Sequence, residues 1–167
     1  LKQSGQLSLS GARKKIDDIF VTELTLTSQF LDIELFKHLW PKQLASKTSL
    51  WINRHISSGS FREGQLNLMI SEQEEKPKLV SVTGDVLFNN AQFRLYQNLI
   101  PATSLSGLLK FEDNHLTLNI EKGEIEHLSV HQAQIGFGPL FPVNRERDLN
   151  VRLIAKGDVS TVLSVLG

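Results

Sequence analysis

Two stretches of thirteen residues share one pattern: Thr83–Leu95, TGDVLFNNAQFRL, and Ser106–Leu118, SGLLKFEDNHLTL. In each, a glycine is followed four positions later by a phenylalanine. A polar, turn-forming cluster comes next, then two apolar positions two apart (Phe93 and Leu95, Leu116 and Leu118). Alternation of apolar and polar residues with a period of two is the mark of a strand with one buried face. Read this way, Asn89-Asn90 and Asp113-Asn114 are turns and each stretch is a hairpin. A hairpin repeated in tandem gives a meandering antiparallel sheet with one apolar and one polar face.

Strand-like alternation extends in both directions from this pair. Gln6–Ser10, Phe20–Thr27 and Gly59–Ser71 alternate before it, and Ile125–Phe137 and Leu149–Lys156 after it. Val80, Val82, Val86 and Phe88 fall on one face, as do Leu105, Leu109 and Phe111, and then Leu116, Leu118 and Ile120. The charged run Glu72–Lys78 reads as a solvated loop, since Pro77 cannot donate to a sheet ladder. Lys122-Gly123 reads as a further turn, and Asp158–Leu166 as a short helix with Asp158 at its N-cap.

One segment breaks the β pattern. Between Phe36 and Ile56 the residues Leu44, Thr48, Trp51, Ile52 and His55 follow a helical stripe. Pro41 suits a first helical turn and Gly59 lies just past the end. This predicts two short helices or one bent helix, with Trp40, Leu44, Trp51 and Ile52 as a plug against one end of the apolar face. The fold class expected is mainly β: a meandering antiparallel sheet curved into an open groove, with a short helical insertion near residues 36–56.

Composition limits the function. The chain has 167 residues, 18 Lys plus Arg and 18 Asp plus Glu, for a net charge of zero. That argues against a nucleic-acid partner, which needs a basic surface, and removes any strong pull toward anionic membranes. With no cysteine there are no disulfides, thiolate metal sites or Cys nucleophile. The chain starts at Leu1 with no signal-peptide pattern and has no apolar run near the roughly 20 residues of a membrane helix. It reads as a single segment of a larger repetitive protein: strands over 1–35, the insertion over 36–58, the main meander over 59–157 and the next element from 158.

No residue set carries chemistry. His127 and His131 are four apart, but in a strand that spacing covers about 13 Å, too far for one zinc ion. His38, His55 and His115 show no partner in the sequence. Thr103–Gly107 lacks the G-x-S-x-G order, and Gly136–Pro139 lacks the lysine and helix of a phosphate loop. Asp17 and Asp18, read as neighbours in a strand, point to opposite faces. No catalytic residue, metal or cofactor is expected. What remains is apolar surface, which either closes against a second layer or lines a groove for an apolar ligand.

Three segments carry a family resemblance: Leu39-Trp40-Pro41 with Ala45, Trp51 and Ser58-Gly59; Val82–Phe88 with Ile100-Pro101-Ala102 and Leu105–Phe111; and Gly123–Ile135 with Leu149–Leu166. In order and spacing they resemble the DUF3971 region of bacterial AsmA-like proteins, the superfamily of YhdP and TamB. The resemblance covers most of the chain from Phe36 onward and implies an elongated, repeated β-groove. It also implies the periplasmic portion of a protein anchored in the inner membrane of a Gram-negative bacterium, carrying phospholipid toward the outer membrane. The partners implied are phospholipid acyl chains, flanking repeat units of the same chain and other envelope proteins. On that view Val80, Val82, Val86, Phe88, Leu105, Leu109, Phe111, Leu116, Leu118 and Ile120 line the groove. The competing expectation is a non-catalytic structural or interaction domain of the envelope with a closed β-core.

Overall fold

The centre of the fold is a reciprocal match between the two thirteen-residue stretches. Their strands pair antiparallel, with Gly84 opposite Phe111, Val86 opposite Leu109 and Phe88 opposite Gly107. Each phenylalanine thus lies across from the other strand's glycine, and the equal Gly-to-Phe spacing makes the two ends of the ladder equivalent. The glycines also serve the outer neighbours of this pair. A Cβ on Gly84 would stand 2.0 Å from the Gln65 carbonyl oxygen, and one on Gly107 2.0 Å from that of Asn119.

The structure is a computed structural model that describes residues 6–39, 46–73, 76–94, 100–112, 114–126, 128–140 and 148–156. Eight strands and two helices follow in order: β1 (Leu7–Ile16), β2 (Ile19–Asp32), α1 (Ile33–Leu39), α2 (Ser46–His55), β3 (Ile56–Gln73), β4 (Lys76–Phe93), β5 (Ala102–Glu112), β6 (His115–Ile125), β7 (Leu128–Gly138) and β8 (Asp148–Lys156). The strands form one open antiparallel sheet in chain order, β1 to β8. The mainly β meander with a short helical insertion is therefore what forms. The helices lie at one end of the sheet, between the end of β2 and the start of β3, and we call this the helical end.

Local chemistry explains the connections. Asp17 and Asp18 both take positive φ (46° and 65°) and join Ile16 to Ile19 as a two-residue hairpin turn. Asp tolerates this conformation, and two such residues in a row match the twist of a hairpin. The two aspartates are therefore a turn, not neighbours within a strand. At the start of α1 the Glu34 amide donates to Asp32 Oδ1 at 2.8 Å, which makes Asp32 a capping acceptor. At the end of α2 the Arg94 amide donates to the His55 carbonyl at 2.8 Å, and His55 Nδ1 lies 2.6 Å from the Arg94 carbonyl oxygen. These bonds tie α2 to the end of β4.

Several expected breaks fall elsewhere. Asn89-Asn90 is no hairpin turn: β4 continues to Phe93, and its partners are β3 and β5. Asn90 alone adopts positive φ (51°), and the register with β5 slips between Phe88 and Ala91. One left-handed residue makes a bulge, whereas a two-residue hairpin turn of the type at Asp17-Asp18 takes two. The second stretch does turn, with Glu112 paired to His115 and Asn114 at φ 64°. Lys122-Gly123 lies within β6, and the chain reverses beyond Ile125, which pairs with Leu128. Gly59 does not stop the helix. It sits inside β3 at φ 129°, against Ala91. Pro77 lies inside β4, but where β5 no longer reaches: the last β5 partner is Phe111, opposite Gly84. A missing N–H costs nothing on such a free edge.

The sheet is bent. Glu63, Asn90 and Ser104 take positive φ (45°, 51° and 54°) in the neighbouring strands β3, β4 and β5, each where the register slips. Bulges bend the strands that carry them. In a flat sheet β2 and β5 would lie three strand spacings, about 14 Å, apart. Here Leu26 and Leu31 of β2 line one narrow cleft with Leu109 and Phe111 of β5. The apolar face is therefore concave. Among the described residues no second sheet covers it.

Of the helical plug, Ile52 is buried in the core. Trp40 and Leu44 lie outside the described residues, as do the Trp51 side chain and the helix expected over 158–166.

Candidate functional site

The concave face gathers the apolar residues that alternation selects. Val82, Val86, Phe88, Leu105, Phe111, Leu116, Leu118 and Ile120 are buried in one cluster, and Leu109 is half-buried against it. Leu105 is the most enclosed, 1% exposed. Val80 departs from the expected face and is 47% exposed. Met69 pairs with Ser81 and Ile70 with Leu79, which leaves Val80 as the unpaired residue of a register shift. A one-residue slip exchanges the faces of a strand, so Leu79 takes the core position that simple alternation gives to Val80.

Two apolar clefts run along this face. The first is lined by Leu26, Ser28, Leu31, Phe36, Phe61, Leu66, Val86, Leu109 and Phe111, with about 20 Å³ of free space. The second, nearer the helical end, is lined by Ile33, Ile56, Phe88, Phe93, Leu105, Leu109 and Leu118 among others, with about 40 Å³. Phe61 and Leu109 line both clefts and form the wall between them. Phe36 of α1 meets Phe61 edge to face, with ring centroids 4.8 Å apart, a favourable aromatic geometry. The first cleft holds one unpartnered polar atom: Ser28 Oγ is buried with no hydrogen-bond partner.

Sequence reasoning missed the contributions of β2, α1 and β3 to these clefts. Leu26 and Phe61 do belong to alternating segments. Their place on the site depends on a change of face that both strands make together between the pairs Ser28–Gly64 and Leu31–Phe61, while the ladder between them keeps its register. Core positions there are three residues apart in each strand, so simple alternation assigns the residues on one side of the change to the wrong face. Gly64 lets Val86 fold over it, since a Cβ would stand 2.8 Å from a Val86 methyl.

Polar groups cluster away from the clefts. At the end of the sheet opposite the helices, Arg13 pairs with Glu72 and its guanidinium carbon lies 4.2 Å from the centre of the Phe20 ring. The register Lys15–Phe20–Glu72 runs across β1, β2 and β3 at this end. Among the described residues no group of three His, Asp or Glu could hold a metal. His131 is exposed on β7, and His127 lies outside the described residues. No described helix is long and apolar enough to cross a membrane. The chain matches no family model, no curated protein and no solved structure.

Proposed function

We propose that this chain is a segment of an AsmA-like envelope protein whose concave apolar face carries phospholipid acyl chains between the inner and outer membranes. The observation that supports it is the continuity of that face: residues from β2 to β6 and from α1 line two clefts separated only by two side chains. On this reading the segment is periplasmic, its membrane anchor lies elsewhere in the protein, and flanking repeat units continue the groove. Burial of about 0.8 kcal/mol per CH₂ would hold the tails. A surface without directional bonds would let them slide, and no catalytic step is needed.

The clefts at 20 and 40 Å³ hold a water or two, so a tail enters only if side chains move. Leu109 and Phe61 are the ones to move, because displacing them joins the clefts into one channel. Ser28 Oγ would then find an acceptor, such as an acyl ester carbonyl, among otherwise apolar walls.

The tight filling of the same face favours a second reading, a closed-core scaffold. The two differ in what Leu109→Ala does. In a lipid track it joins the clefts and raises the amount of phospholipid retained on the purified protein, read by native mass spectrometry and lipid extraction. In a closed core it lowers stability by about 2–5 kcal/mol and recruits no lipid. Ser28→Ala separates them again: removing an orphan hydroxyl stabilises a closed core by about 1–3 kcal/mol, whereas in a track it weakens lipid retention. Lipid-free protein with unchanged occupancy after Leu109→Ala would sink the transport reading.

A further inference from the structure

We infer that the end of the apolar face opposite the helices is a head-group site, where Arg13 and Lys15 take the phosphate of an anionic phospholipid whose tails lie on the face behind it. The inference rests on the lipid-carrying reading above and deepens it, since it gives the amphiphile a charge and a direction.

The register across β1 to β4 places the charges. Toward the middle of the sheet this face is uncharged in the rows Leu9–Leu26–Leu66–Gly84 and Gly11–Leu24–Leu68–Val82. The next row outward is Arg13–Thr22–Ile70–Leu79, and the one after it Lys15–Phe20–Glu72–Pro77. Strand β5 pairs with β4 no further out than Gly84, so these two rows form the rim of the face. The rim thus adds two cations and one carboxylate to a floor that is otherwise apolar. An apolar floor ending in net positive charge complements a molecule with apolar tails and an anionic head.

Arg13 is held over the face rather than away from it. Its guanidinium carbon lies 4.2 Å from the centre of the Phe20 ring, and its partner Glu72 stands on β3, so the ion pair crosses over β2. Stacking on the ring positions the guanidinium without using its N–H groups. Glu72 accepts from Nη2 alone, and a guanidinium carries five donors in a fork that fits two phosphate oxygens. Lys15 is two residues along the same face of β1, with Nζ 2.7 Å from Asp18 Oδ1.

The resting counter-ions are replaceable. The Arg13 and Lys15 side chains are 53% and 55% exposed, and that of Asp18 is 93% exposed. Ion pairs this open to water are weak, so an incoming phosphate can exchange with the carboxylates.

The spacing gives the direction. Thr22 and Leu26 are four residues apart on β2, about 13 Å, and Leu26 lines the first cleft. A head held at Arg13 lays its tails over Leu24 and Leu68 toward that cleft. Ser28 is about 20 Å from the rim by the same count, too far for an ester group beside the head to reach. Arg13 and Ser28 are therefore successive stations of one path.

The test is lipid retention by the full chain from vesicles of equal phosphatidylglycerol and phosphatidylethanolamine, read by native mass spectrometry and lipid extraction. At about 50 mM salt the retained lipid should be enriched about fivefold in phosphatidylglycerol, and at about 500 mM the enrichment should fall. Arg13→Gln should bring the ratio close to one, and Lys15→Gln should lower it less. Glu72→Gln frees Arg13 from its counter-ion and should raise the ratio. A merely structural ion pair gives the same result whichever partner is removed. Circular dichroism confirms that each variant folds. Equal retention of both lipids by the wild-type protein would overturn the head-group site and leave the transport reading standing. So would Arg13→Gln and Glu72→Gln moving the ratio in the same direction. Inorganic phosphate that shifts the Arg13 Nε–H resonance in protein with no lipid preference would mark a free-anion site and overturn it as well. Protein that retains neither lipid would remove both readings.

Discussion

Residues 83–95 and 106–118 are nearly the same sentence written twice, and the fold reads them differently. The second turns back after Glu112, which pairs with His115 across Asn114 at positive φ, and becomes the β5–β6 hairpin; Asp113 lies outside the described residues. The first passes straight through Asn89-Asn90 with a bulge and stays one strand to Phe93. Their shared spacing is used in full, but across the β4–β5 ladder, where Gly84 meets Phe111 and Phe88 meets Gly107. What reads as a tandem repeat along the chain is a matched pair in space. A local turn signal is weak against a neighbour ready to pair: Gln92 and Phe93 find Ser58 and Ile56 on β3, whereas the stretch of β4 that a longer β5 would meet beyond Gly84 carries Pro77, Lys78 and the unpaired Val80 and is a poor partner.

The comparison breaks hardest at the phenylalanines. Phe88 and Phe111 are both buried, so Phe88→Ala and Phe111→Ala should each cost about 3–5 kcal/mol in urea unfolding. Equal costs would support the equivalence of the two ends of the ladder.

The glycines sharpen the comparison by an inequality. Either one, replaced by Ala, would drive a Cβ into a neighbouring carbonyl, an overpacking cost of about 1–3 kcal/mol. Gly84 also sits at φ 129°, where an L side chain adds about 1–3 kcal/mol of backbone strain. Gly84→Ala should therefore unfold at lower urea than Gly107→Ala, and the reverse order would show that close packing alone sets the cost.

Asn90 tests who decides the turn. Asn90→Gly gives β4 the strongest short hairpin signal, Asn-Gly. The strand should nevertheless continue, with nuclear Overhauser contacts between Phe88 and Gly107 kept and stability changed by under about 1 kcal/mol. The smallest effect is expected at Glu63, which holds φ 45° without a left-handed preference. Glu63→Gly should raise the unfolding free energy by up to about 1 kcal/mol, read as a higher urea midpoint, the strain relieved less the added chain entropy.

The legible part of the candidate site is the part that keeps period two without interruption. Val82, Val86, Phe88, Leu105, Phe111, Leu116, Leu118 and Ile120 reach one buried face because no slip separates them from their ladder partners in the wrong sense. Val80 fails because an unpaired residue sits at its own position, and Phe61 escapes because Glu63 resets the phase of β3. The break in β3 is one residue in a left-handed conformation, Glu63, and Glu is a poor sequence marker for it. The breaks at Lys122-Gly123 and Gly59 show the converse: glycine there serves close approach, with Leu105 against Gly123 and Ala91 against Gly59.

By itself the sequence determined the class of the fold. Period-two alternation can bury one face of a strand and nothing else, and the helical stripe between Phe36 and Ile56 could not join the sheet. It also set the Gly-to-Phe spacing that makes β4 and β5 partners. Tertiary structure alone decided which polar pair turns, where the alternation slips and which side chains meet across the concave face. Those choices rest on contacts between residues tens of positions apart, such as Leu31 with Phe61 or Phe61 with Phe88, and no local preference of about 1 kcal/mol outweighs a strand's worth of such pairings.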